Sequence, residues 1–117
     1  MKHLNSFKIF EIRGFYQPLI SISDEIIEKS KTLKNFTQTF VQKGKPYTIE
    51  IVIISDEKYR REHGEGEAIT YVYDKNAGEK YFATIYLNEE KIKKPLIVHE
   101  LKHVFSYIVS GLSLIHI

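Results

Sequence analysis

The chain contains no cysteine, which excludes a disulfide framework, a thiolate zinc cluster and a cysteine nucleophile together and leaves His, Asp and Glu as the available metal ligands. It also lacks an excess of either charge. Its 17 basic and 15 acidic residues are spread along 117 positions for a net charge of +2. No basic stripe points to nucleic acid and no acidic tail points to a solvating arm. Long apolar runs are missing too: residues 1–15 hold no stretch of signal-peptide length, and nowhere do the roughly 18 uninterrupted apolar residues of a membrane span occur. The default expectation is a cytoplasmic protein without a membrane or nucleic-acid partner. There is no internal repeat and no low-complexity segment. What is present is 43% hydrophobic residues, enough for one small core, so residues 1–117 are expected to form a single domain.

Periodicity and punctuation predict the elements. Residues 1–20 alternate irregularly and end at Pro18, which suggests an early strand or an extended arm. From Ser23, read as an N-cap with Asp24 and Glu25 in the first turn, apolar residues recur at Ile26, Leu33, Phe36 and Phe40 until Gly44 and Pro46 stop the pattern. That spacing predicts an amphipathic helix packed on a sheet. Residues 47–55 (YTIEIVIIS) are apolar and β-branched at nearly every position, as in a strand in the middle of a sheet. Residues 56–67 are polar and contain two glycines, marking an exposed turn of helix or a loop. Two further strands, residues 68–73 and 81–87, flank a turn-rich segment and predict an antiparallel hairpin. In the second arm Tyr81, Ala83, Ile85 and Leu87 alternate with Phe82, Thr84, Tyr86 and Asn88, so one face can be buried while the other meets solvent or a ligand. Cross-strand packing accounts for most of the tyrosines here. Pro95 suits a first helical turn, and the apolar residues 96–109 with Gly111 at C′ predict a mostly buried helix.

That last helix carries the chemistry, because residues 99–103 read His-Glu-Leu-Lys-His. Four residues apart on a helix of 3.6 residues per turn, His99 and His103 project from one face, one turn above the other. Two imidazole nitrogens can then share one zinc ion without any loop having to be ordered. Glu100 lies about 100° further round the helix, beside such an ion rather than on it. A carboxylate there can take a proton from a zinc-bound water and pass it to a leaving amine. The bland alternative is a buried helix in which the two histidines are merely satisfied polar groups and Glu100 pairs with a lysine. Two imidazoles and a carboxylate on an otherwise apolar helix are costly to bury unless something binds them.

With these residues the chain resembles the zincin metallopeptidases, whose active-site helix carries His-Glu-x-x-His and whose preceding sheet includes an edge strand that pairs with the substrate. The resemblance implies that His99 and His103 are zinc ligands and that Glu100 is the general base. It further implies that residues 81–88, with Ala83, Thr84, Ile85 and Tyr86 at their centre, align a peptide by β-augmentation. The metzincin branch continues with Gly three residues and His six residues beyond the second His; here those positions hold Ser106 and Val109. The arrangement is therefore gluzincin-like, with a third ligand, usually Glu, expected on a later helix. No later helix follows, and the tail Ser113-Leu114-Ile115-His116-Ile117 reads as translated adapter sequence, so the domain is expected to be cut after its active-site helix. His116 curling back as a third ligand is the competing view, disfavoured because a chain end is poorly placed to fix a metal. Glu89, Glu90 and His63 are conceivable ligands more simply read as surface charge and a loop histidine.

The expectation is thus an α+β, zincin-like domain with a small, mostly antiparallel sheet, a scaffold helix and an active-site helix. Its implied function is zinc-dependent hydrolysis of peptides or proteins. The alternatives are a non-catalytic zincin-like binding or structural domain, and a zinc hydrolase acting on something other than peptides.

Overall fold

The computed structural model describes residues 16–73, 78 and 80–110. In chain order they form helix α1 (Tyr16–Ser30), strands β1 (Asn35–Gln42) and β2 (Lys45–Ile54), helix α2 (Asp56–His63), strands β3 (Ala68–Val72) and β4 (Ala83–Asn88), a 3-10 turn (Glu89–Lys91) and helix α3 (Lys94–Ser110). The four strands make one sheet in the order β1-β2-β4-β3. Its β1–β2 and β3–β4 pairs are antiparallel, whereas β2 and β4 run parallel. The α+β class and the mostly antiparallel sheet match the sequence expectation.

Two boundaries differ from it. Residues 16–20 are the first turn and a half of α1 instead of an extended arm, and Pro18 sits in that first turn, where a missing N–H costs nothing. The remainder of the expected arm lies outside the described residues. Ser23 is no N-cap: it is buried inside α1, its hydroxyl donating to the Leu19 carbonyl at 2.7 Å. The predicted single helix through Phe40 ends at Ser30, and residues 35–42 are a strand. Phe36 and Phe40 are four apart, a spacing that fits one face of a helix and also one face of a strand. The intervening Thr37, Thr39 and Val41 are β-branched and exposed, which favours the extended form. Register then places Phe36 opposite Ile51 and Phe40 opposite Tyr47. Lys43 and Gly44, both at positive φ (54° and 76°), close the two-residue turn between β1 and β2, the handedness that matches strand twist.

The core lies between one face of the sheet and helices α1 and α3. The sheet contributes Phe36, Phe40, Ile49, Ile51, Ile53, Ala83, Ile85 and Leu87, all buried. Against them α1 sets Leu19, Ile22 and Ile26, and α3 sets Leu96, Ile97, Leu101, Val104 and Phe105. These recur every three or four residues, so each helix buries one stripe. Phe105 stacks on Phe40 at 4.9 Å between ring centroids, pinning the far end of α3 to β1. At the near end Lys94 pairs with Asp24 of α1 at 2.8 Å. That exposed pair orients more than it stabilises.

Helix α2 starts where Ser55 caps it, accepting from the Lys58 N–H at 3.2 Å. It sits against the opposite face of the sheet through Tyr59 and His63, whose ring lies 4.7 Å from that of Tyr86. The expected exposed turn of helix is therefore present, held down by one buried aromatic residue, Tyr59.

Candidate metal centre

Helix α3 buries Leu96, Ile97, Leu101, Val104 and Phe105, and that stripe decides where the polar residues between them point. His99 falls on the exposed flank and His103 at its margin, while Glu100 falls on the buried side at 6% exposure. The helical spacing brings the two Nε2 atoms to 3.2 Å, with the rings nearly perpendicular at 86°. Two nitrogens about 2.05 Å from one ion at a tetrahedral angle lie about 3.3 Å apart. The two rings are thus hydrogen-bonded to one another at close to the separation a shared zinc ion would require. One ligand atom from each of His99, Glu100 and His103 lies within 4.8 Å of the other two. The three residues form a His-Glu-x-x-His cluster of the zincin type, and its two imidazoles with a carboxylate beside them suit a divalent cation.

Electrostatics favour the neutral ligand at His103. Burial holds its imidazole below the ordinary value, the neighbouring Glu100 carboxylate pulls it upward, and His99 pushes it down again. A nitrogen that sheds its proton readily is a better ligand at a given pH.

Glu100 is tied to the sheet. Its Oε1 accepts a 2.6 Å hydrogen bond from the Thr70 hydroxyl on β3. Residue by residue, β3 faces Thr70 across from Ile85 and so toward the core side, where α3 lies. Ala68, Thr70 and Val72 alternate on that side, and Thr70 is the polar member of the three. That was the signal the sequence offered. Nothing local connected it to a helix 30 residues away.

The position of β3 overturns one expectation. The resemblance implies that residues 81–88 are an open strand aligning a substrate through Ala83, Thr84, Ile85 and Tyr86. The structure places β4 inside the sheet, hydrogen-bonded to β2 on one side and β3 on the other. Its backbone has no free edge, and Ala83, Thr84 and Ile85 are buried. The alternation that suggested an open face reflects two covered faces of different polarity. On the side of α2, Tyr73 donates to Thr84 at 2.8 Å and Thr84 donates to Glu50 at 3.2 Å, while Tyr86 packs edge-on against Tyr71.

Among the described residues, the free edge beside the cluster belongs to β3. The Tyr73 N–H bonds to Phe82 and the Asn88 N–H bonds to Glu67, so the hydrogen-bonded pairs of this ladder fall at the odd-numbered residues of β3. By the alternation of antiparallel ladders, the N–H and C=O groups of Ala68, Thr70 and Val72 point outward. Thr70 therefore presents its side chain to Glu100 and its backbone to the open edge.

The other conceivable ligands are elsewhere. Glu89 pairs with Lys34 at 2.7 Å at the surface, Glu90 is exposed, and His63 packs among Tyr59, Tyr71 and Tyr86. Helix α3 continues through Ser106 and Val109 without the turn a metzincin would need. His116 and Gly111 lie outside the described residues. Among the described residues, no helix is long and apolar enough to cross a membrane.

No family model, curated protein or solved structure matches this chain. The site is accordingly characterised by its own geometry.

Proposed function

We propose that the chain carries the catalytic helix of a zinc-dependent metallopeptidase. The observation that carries this reading is the 3.2 Å separation of the His99 and His103 Nε2 atoms, with a Glu100 carboxylate oxygen within 4.8 Å of the two imidazoles. His99 and His103 hold the ion through Nε2. When bound, zinc would bring the pKa of a coordinated water down to about 7 and polarise a carbonyl as a Lewis acid. Glu100, anchored through Oε1, keeps Oε2 for taking up a proton and handing it to the leaving amine.

The edge of β3 supports a peptide as substrate. Outward amide and carbonyl groups at Ala68, Thr70 and Val72 can add an extended segment as a further strand. Such pairing sets the scissile carbonyl alongside Thr70, next to the base that Thr70 holds. This role replaces the one expected of β4. Among the described residues the cluster supplies two imidazoles, and a catalytic zinc takes three protein ligands.

Glu100→Gln tests the reading. It is expected to leave zinc binding in place and abolish hydrolysis of unstructured protein substrates by a form of the protein that supplies the third ligand. Unchanged hydrolysis, or an activity of any kind indifferent to the substitution, would favour a non-catalytic zincin-like binding domain instead.

A further inference from the structure

Glu100 stands where it could serve as a base or as a ligand. Its carboxylate shares the 4.8 Å sphere with the two imidazoles, and carboxylate oxygens bind zinc at roughly 2.0 to 2.2 Å. Three side-chain torsions separate that group from the helix backbone. A cation gripped by His99 and His103 therefore attracts a carboxylate that has the reach to join them. Once coordinated, the carboxylate shares its negative charge with the cation and becomes a poorer proton acceptor. A metallopeptidase built on this helix needs a restraint that prevents that collapse.

Thr70 supplies one from a different element. In the 2.6 Å contact the Thr70 hydroxyl donates to Oε1. Charge-assisted O–H···O bonds of this length are among the stronger kind. Glu100 is 6% exposed, so water competes poorly for the same oxygen. The donor is itself fixed, because β3 is laddered to β4 along its length and Thr70 has a single short, β-branched side chain. Pulling Oε1 toward the ion means breaking this bond inside a poorly hydrated site, where an unmade hydrogen bond is expensive.

We infer that Thr70 is a positioning residue that holds Glu100 out of the metal's coordination sphere and so keeps it available as the base. The inference rests on the metal-centre reading above. It assigns the strand a second task besides offering its edge: the residue whose backbone faces the substrate also restrains the group that acts on it.

The test is a double-mutant cycle on cobalt(II) binding to the full chain, with affinity from titration and ligand number from the visible d–d spectrum. In the Thr70 background, Glu100→Gln is expected to change cobalt affinity by no more than about twofold, as for a group that does not touch the metal. Thr70→Val removes the hydroxyl at constant shape and is expected to tighten cobalt binding by about tenfold, the scale of outer-shell effects on metal affinity, with a shifted d–d spectrum. Adding Glu100→Gln to Thr70→Val should abolish both changes, and Thr70→Ser should restore wild-type behaviour. Should the valine variant fail to fold, as judged by circular dichroism, Thr70→Ala carries the same comparison. An unchanged spectrum and affinity on loss of the hydroxyl would overturn the inference, as would a change that persists without Glu100. If the wild-type chain binds no cobalt, or binds it equally well without His99 and His103, the metal-centre reading itself fails.

Discussion

Removal of His99 separates a metal site from a pair of histidines that happen to be neighbours. His99 is exposed and outside the buried stripe of α3, so His99→Ala should cost the apo fold no more than about 0.5 kcal/mol. Its effect on zinc should be far larger. Four-ligand structural zinc sites are worth about 10–16 kcal/mol, or about 2.5–4 kcal/mol per protein ligand. Loss of one of two nitrogens 3.2 Å apart should then weaken binding by roughly two to three orders of magnitude. Competition against a chromophoric chelator measures this directly. Thermal unfolding gives an independent reading: at a free zinc concentration of about 100 times Kd, linkage stabilises the wild type by about 2.7 kcal/mol. For a domain of this size that raises Tm by roughly 10 °C. The same zinc concentration should move the Tm of His99→Ala by a small fraction of that. If His99→Ala keeps its zinc affinity, or if zinc shifts both midpoints equally, the two imidazoles do not share an ion.

Two further outcomes follow from the fold that presents the site. Ile51, fully buried at the centre of β2 between β1 and β4, should lose about 2–5 kcal/mol on replacement by Ala, read from urea unfolding; a loss below about 1 kcal/mol would mean that the sheet does not carry the core. Acid should destabilise the α2–β4 junction. The Asp56 carboxyl is held below its ordinary value by the hydrogen bond from Asn88, opposed by burial and helped by Arg60 and then Lys91. The unfolded chain therefore binds a proton more readily at this group, and its contribution to stability is complete above about pH 3.9 and is lost as pH falls further. Asn88→Ala should flatten this acid limb in a pH series of unfolding midpoints. An unaltered limb would count against the linkage.

The parts of this protein that were legible in the sequence are those in which neighbours along the chain are also neighbours in space. His99, Glu100 and His103 needed only the pitch of one helix to be assembled, and β2 declared its central place by being apolar on nearly every residue. The helix predicted through Phe40 failed where local patterning is degenerate. A pair of phenylalanines four residues apart satisfies both periods, and only pairing with Ile51 and Tyr47 across the β1–β2 turn decided between them.

Sheet order is the property that local pattern cannot carry, because a strand with one neighbour and a strand with two can have the same alternation of side chains. The arms of the β3–β4 hairpin were both visible as strands, yet which of them keeps a free edge depended on β2 pairing in parallel with β4. That one long-range pairing took the free backbone edge from β4 and, among the described residues, left it to β3. It also set Thr70 2.6 Å from Glu100. The helix by itself determined which residues could hold a metal; the sheet packed against it decided what restrains the base and where a peptide could lie, since hydrogen-bonding edges and contacts between distant segments exist only once the chain has folded.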